Sequence, residues 1–219
     1  MQIKALKLYH YLLTRSVRVK WMLHEVLGEA FETEVVAVIK GAMMAPDMLA
    51  RNPNHNLPML DVTWEDGSTQ TMLESGAMVM WLAEAYPDAQ LEPARGAVRL
   101  RADYLQMIQF GSSWMDSILW QMRLHKTLLP ADLKQSSIFD MYAQKWASEI
   151  EPQLAQRLNA QDYICGQNFL AVDCIIGHNV RWAQSYGLCD DAVFGAYLGR
   201  LGERPAFQLA YADAHAFGR

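Results

Sequence analysis

Asn56-Leu57-Pro58-Met59-Leu60 and, one hairpin later, Leu73-Glu74-Ser75-Gly76-Ala77 are the stretches whose spacing decides the fold. Proline has no N–H to give a sheet, so Pro58 belongs at a strand start, and Met59 to Trp64 reads as that strand. A cis Leu57-Pro58 bond would turn the N–H and C=O of Leu57 outward. A free backbone donor and acceptor at a sheet edge can pair with a short extended peptide. Glu74-Ser75 falls where a helix begins, so the Ser75 hydroxyl and the free amides beside it can hold a carboxylate.

Around this centre, strand-like and helix-like segments alternate. Lys4 to Tyr11 reads as a first strand and Val17 to Leu27 as a helix stopped by Gly28. Phe31 to Ile39, rich in β-branched residues, reads as a second strand. Pro46 to Arg51 is a short helix closed by Asn52-Pro53. Met59 to Trp64 and Ser68 to Leu73 flank the Asp66-Gly67 of a hairpin, and Ser75 to Tyr86 is a helix ending at Pro87. The order β-α-β-α-β-β-α is that of a thioredoxin-like domain. Beyond the proline-bounded stretch Pro87 to Pro93 there is almost no strand signal. Ala97 to Leu128, Ile138 to Leu158 (interrupted at Pro152), Ala171 to Tyr186, Ala192 to Leu201 and Ala206 to Ala214 read as helices. The expected organisation is an α/β domain over residues 1–87, a linker over 88–95 and an all-α domain over 96–219.

Composition narrows the function. Of the 219 residues 52% are hydrophobic, enough for a sizeable core, and the formal charge of −5 argues against a nucleic-acid partner. The start, Met1-Gln2-Ile3-Lys4, meets charge before any long apolar run, so no signal peptide is read there, and no stretch is long enough for a membrane span. Cys165, Cys174 and Cys189 form no Cys-x-x-Cys pair, which fits a reducing cytoplasm. The six histidines, His10, His24, His55, His125, His178 and His215, show no metal-ligand spacing, so no metal is expected.

Together these pieces resemble the cytosolic glutathione transferase family. Arg18-Val19-Lys20-Trp21-Met22-Leu23 is similar to the first-helix signature of bacterial members. Tyr163 to Asp173 resembles the family's helix-capping segment, and Arg204-Pro205-Ala206-Phe207 a common C-terminal motif. The resemblance covers nearly the whole chain. It implies a cytoplasmic homodimer with glutathione as co-substrate, joined to a small apolar electrophile. The same fold also hosts glutathione-dependent isomerases of unsaturated acids, near whose cleft this chain offers only Arg15, and non-catalytic glutathione-binding or stress-response modules.

The resemblance also implies residue roles. Serine-type members activate the thiol with a hydroxyl in the turn between the first strand and first helix, here Thr14-Arg15-Ser16. With Arg18-Val19 as anchor, Thr14 takes that place and Ser16 is the second choice. Both would serve equally well as helix caps. A hydroxyl donating to sulfur stabilises the thiolate, which is the nucleophile. Tyrosine-type members use a phenol near the end of the first strand, where Tyr11 is the candidate and Tyr9 its neighbour. Leu57 and Pro58 would clamp the glutathione backbone, Glu74 would meet its γ-glutamyl ammonium, and Ser75 its carboxylate. Lys40, His55 and Asn56 flank the cleft, and one of them would meet the glycine carboxylate. Many relatives carry lysine where this chain has Asn56. Leu12, Leu13, Phe110 and Trp114 are the candidates for the second-substrate pocket. No cysteine stands in the first strand–helix turn, so a thiol of the protein is not the expected nucleophile. Asp173 would fill half of a capping box, because Leu170 lacks the usual hydroxyl.

Overall fold

The computed structural model of the chain describes residues 2–38 and 41–214. Lys40 and His215 lie outside the described residues. The chain divides into two compact units, residues 1–90 with 203–219, and residues 91–202.

The first unit is built on a mixed sheet of order β2-β1-β3-β4. β1 (Ile3–His10) pairs in parallel with β2 (Glu32–Val35) and antiparallel with β3 (Met59–Trp64), and β3 pairs antiparallel with β4 (Thr69–Met72). Parallel neighbours need a crossover, which α1 (Ser16–Leu27) supplies. Gly28 stops that helix with φ 61° and an N–H bonded to His24 O at 3.1 Å. α2 (Pro46–Arg51) and α3 (Ser75–Ala85) complete a thioredoxin-like arrangement. Leu6, Leu8, Leu60 and Val62 of the sheet are buried together with Val19, Trp21, Met22 and Leu23 of α1 and Met78, Val79 and Leu82 of α3.

The second strand ends at Val35, short of the Phe31 to Ile39 that its β-branched residues suggested, Ile39 itself lying outside the described residues. Val36 N–H still reaches His10 O at 2.9 Å, but His10 ends β1, and among the described residues the ladder goes no further. The chain turns instead, with Val38 N–H on Val36 O at 2.8 Å. β1 likewise stops before Tyr11, whose N–H donates to Ser16 Oγ at 3.1 Å.

The second unit is helical: α4 (Val98–Gln109), α5 (Asp116–Arg123), α6 (Ser136–Lys145), α7 (Glu151–Ala160), α8 (Ala171–Gln184) and α9 (Ala192–Gly202). The run from Ala97 to Leu128 stays helical but widens into π turns at Phe110–Met115 and Leu124–Leu128. A third π turn, Trp146–Ile150, immediately precedes the helix carrying Pro152, a residue with no N–H to give. α8 is buried almost all round. A Cβ on Gly111 would stand 2.7 Å from Ile175 Cγ2 and 2.8 Å from Ile176 Cδ1, so only glycine fits there. The start of α8 is fixed by Asp173, whose carboxylate accepts Leu170 N–H at 2.9 Å, Ile164 N–H at 3.1 Å and Tyr197 O–H at 2.8 Å. The reciprocal bond comes from the backbone, Asp173 N–H to Leu170 O at 2.9 Å, since leucine offers no acceptor. The linker is anchored to the same helix by Ala171 N–H on Leu91 O at 2.8 Å.

α10 (Pro205–Tyr211) does not belong to that helical unit, although the second domain read from the sequence ran to residue 219. It packs on α1. Phe207 meets Trp21 edge-on at 4.9 Å, and Arg204 forks onto both oxygens of Glu25 at 2.7 Å each. Trp21 Nε1 donates to the same carboxylate at 2.8 Å, so the Arg-Pro-Ala-Phe segment is a clasp on the first unit.

Candidate functional site

The turn from β1 to α1 is held by hydroxyls. Thr14 Oγ1 lies 2.7 Å from Tyr11 O and 2.8 Å from Ser16 Oγ. Thr14 is half-buried and reachable, whereas Ser16 is wholly buried. Neither caps the helix strongly, since Ser16 N–H approaches Thr14 Oγ1 only at 3.4 Å. Ser16 Oγ instead lies 2.8 Å from His10 Nδ1. His10 Nε2 in turn stands 3.1 Å from Asp213 Oδ2, which also accepts from Lys20 Nζ at 2.9 Å.

The two tyrosines separate cleanly. Tyr9 is buried, donates to Asp61 at 3.2 Å and carries the Arg51 guanidinium over its ring at 5.2 Å. Burial pushes its phenol above the ordinary value, with Asp61 adding to the rise. Tyr11 is half-buried and packs on the cluster formed by Tyr9, Val36, Met43, Leu57 and Met59.

That cluster brings the peptide-binding candidates to the hydroxyl turn. Leu57 belongs to it and Leu73, next to Glu74, packs against it. The Leu57-Pro58 bond is cis. Among the described residues the N–H and C=O of Leu57 have no hydrogen-bond partner. Buried backbone groups are nearly always paired, so this residue holds a donor and an acceptor in reserve. Glu74 precedes α3 with φ 68° and is exposed, and no side chain caps the helix. A non-glycine residue at positive φ is uncommon and costs energy, and such positions cluster at ligand sites. Ser75 is buried, and its Oγ accepts from Arg18 Nη1 at 3.5 Å.

The loop before Pro58 is organised by Asn52, which is fully buried. Its Nδ2 donates to Asn56 O and Asn56 Oδ1, both at 2.9 Å, and its Oδ1 accepts Asn54 N–H at 3.0 Å. Asn56 is thus turned towards the loop, and the exposed His55 adopts φ 43° beside it.

Of the second-substrate candidates, Leu12 is half-buried and Leu13 exposed in the first unit. In the second unit Phe110 is half-buried and Trp114 is 45% exposed, with Lys145 Nζ 4.9 Å from its ring centre. Both stand on the π turn that Gly111 seats against α8.

The cysteines are free and buried, and burial pushes the Cys165 and Cys189 thiols up, so neither is a poised nucleophile. Among the described residues no group of three or more His, Cys, Asp or Glu could hold a metal, and no helix is long and apolar enough to cross a membrane. Sequence reasoning missed His10, Asp213 and Asn52. Nothing in the chain's pattern links positions 203 residues apart, but Asn52-Pro53 was a visible signal that read only as a helix stop.

Comparison with known proteins agrees with the fold. Residues 8–92 match the family model described as glutathione S-transferase, N-terminal domain. The glutathione S-transferase GstA of Escherichia coli O157:H7 is 28% identical over 170 residues, covering 75% of this chain and 76% of that one. A glutathione transferase of Burkholderia graminis, solved with two glutathione molecules per subunit, superposes with a TM-score of 0.83 at 23% identity, covering 98% of this chain and 90% of that one. One from Phanerochaete chrysosporium, in complex with oxidised glutathione, gives 0.84 at 21% identity and covers 97% of both chains.

Proposed function

We propose that this chain, whose residues 8–92 match the glutathione S-transferase N-terminal domain and which is similar to a curated glutathione S-transferase over 75% of its length, binds glutathione, draws its thiol towards the thiolate, and adds that thiolate to an apolar electrophile. The observation that carries this is the unpaired backbone of Leu57 in one cluster with Tyr11 and Leu73, beside an uncapped helix start at Glu74-Ser75. Leu57 N–H and C=O pair with the backbone of the tripeptide. Ser75 and the first amides of α3 take the γ-glutamyl carboxylate, and exposed Glu74 meets its ammonium. Sulfur then comes to rest at Thr14.

Thr14 is the residue to which we assign thiol activation, because it is the reachable hydroxyl of the turn. Ser16 acts through Thr14, and Tyr11 supplies packing and a carbonyl. His55 and Asn56 border the glycine end, where an amide gives a weaker contact than a cation. Leu12, Leu13, Phe110 and Trp114 are proposed for the electrophile, and a cytoplasmic homodimer for the assembly. A second reading, a glutathione-binding module without turnover, draws support from Thr14 itself, whose hydroxyl already has an acceptor at 2.7 Å. Titrating the thiol of bound glutathione by thiolate absorbance separates the two. A depressed pKa supports the transferase, binding with an unshifted thiol supports the module, and no binding removes both.

A further inference from the structure

Ser16 has one hydroxyl proton and four polar neighbours. Its Oγ accepts Tyr11 N–H at 3.1 Å and lies 2.8 Å from His10 Nδ1, 2.8 Å from Thr14 Oγ1 and 2.9 Å from Tyr11 O. Which neighbour takes the proton is settled on the far side of the histidine. A carboxylate can only accept, and Asp213 Oδ2 faces His10 Nε2 at 3.1 Å, so Nε2 carries the ring proton. Burial pushes the His10 pKa down to about 4, with Lys20 adding to the fall and Asp213 opposing it, so the ring is neutral with a single N–H. Burial pushes the Asp213 carboxyl up, but Lys20 and His10 outweigh it and hold the group below its ordinary value, ionised. Nδ1 is therefore a bare acceptor on a completely buried ring, and among the described residues only the Ser16 hydroxyl is placed to satisfy it. With that proton committed, Thr14 is the hydroxyl left to serve the Tyr11 carbonyl at 2.7 Å.

We propose that Asp213, His10 and Ser16 form a buried positioning relay that holds the Thr14 proton on the Tyr11 carbonyl and so restrains thiolate formation at the turn. The inference rests on Thr14 being the donor to the glutathione sulfur. With a thiol bound, S–H donates to Thr14 Oγ1 while Thr14 donates to Tyr11 O. To form the thiolate the S–H bond breaks, its proton leaves to water, and Thr14 turns to the sulfur, abandoning the carbonyl. Remove the acceptor at His10 and Ser16 is released to donate to Tyr11 O, 2.9 Å away, leaving Thr14 unclaimed. No member of the relay touches the sulfur.

His10→Leu is the direct test. The bound thiol should titrate lower than in the parent, with about two- to tenfold more thiolate relative to thiol, the equivalent of one neutral hydrogen bond of ~0.5–1.5 kcal/mol. Glutathione affinity should stay within about twofold by calorimetry. His10→Gln keeps an acceptor towards Ser16 and a donor towards Asp213, and should restore the parent titration. Ser16→Ala leaves Thr14 on the carbonyl and should not lower the thiol pKa. Nitrogen-15 NMR of the histidines in the unliganded parent needs neither glutathione nor a variant, and should find His10 protonated on Nε2 and bare on Nδ1. A proton on Nδ1, or a His10→Leu thiol that titrates at or above the parent value, overturns the relay. A parent that binds no glutathione brings down the proposed function and the relay's role with it. The NMR result then shows whether the hydrogen-bond chain itself was assigned wrongly.

Discussion

Thr14→Val keeps the branched shape and deletes the donor. A hydrogen bond to a charged acceptor contributes about 1.5–3 kcal/mol, while the neutral bond that Thr14 gives up at Tyr11 O costs about 0.5–1.5 kcal/mol. The difference, about 1–1.5 kcal/mol, is close to one pKa unit at ~1.36 kcal/mol per unit. In the variant the bound thiol should therefore titrate about one unit higher, towards the ~8.5 of a free thiol, with about tenfold less thiolate at neutral pH. Thiolate absorbance across a pH series reads this directly. Calorimetry should show glutathione affinity nearly unchanged, because the lost contact favours only the ionised form. Turnover with a model aromatic electrophile should fall by a similar factor. Thr14→Ser should preserve it, and Ser16→Ala and Tyr11→Phe should be milder. If Thr14→Val leaves the titration unmoved while Tyr11→Phe abolishes turnover, the phenol is the activating group. If neither matters, the module without turnover is the better account.

Glu74→Ala or Ser75→Ala should weaken glutathione binding by about 1.5–3 kcal/mol, roughly ten- to a hundredfold, and unchanged affinity in both by calorimetry would refute the carboxylate seat. Asp173→Ala leaves Leu170 N–H, Ile164 N–H and the buried Tyr197 hydroxyl without their acceptor. It should cost about 3–5 kcal/mol in denaturant unfolding with glutathione affinity preserved, and a parent-like midpoint would contradict the cap. His10, buried and neutral, has its folded pKa depressed to about 4 from 6.5. Between those values the unfolded chain binds more protons, so stability should be full above about pH 6.5 and fall as the pH drops towards about 4, by up to ~1.36 kcal/mol per pH unit. His10→Gln should flatten that part of the curve of melting temperature against pH, and an equal slope in both proteins would assign the acid sensitivity elsewhere.

The sequence by itself determined the features whose causes are local. Pro58 was read at a strand start, Asp66-Gly67 as a hairpin turn and Gly28 as the stop of α1, and the structure has Met59 opening β3 and Gly28 at positive φ after α1. Asp173 was legible as a cap through the family resemblance of Tyr163 to Asp173, and its partner Leu170 does lie three positions away. The hydroxyl turn at Thr14 and Ser16 was legible too, since both sit between a strand and a helix that announce themselves by periodicity. What depends on who meets whom across the fold was not legible. β2 ends at Val35 because β1 runs out of partners at His10, whatever its own β-propensity. α10 joins the first unit because Arg204 and Phe207 find Glu25 and Trp21, residues about 180 positions earlier. At the hydroxyl turn the sequence ranked Thr14 ahead of Ser16 by register alone, and what only the tertiary structure added is their difference in exposure. The two are chemically alike and two residues apart, and it is the packing of Ser16 beside His10, itself held by Asp213, that buries one hydroxyl while the other stays half-buried.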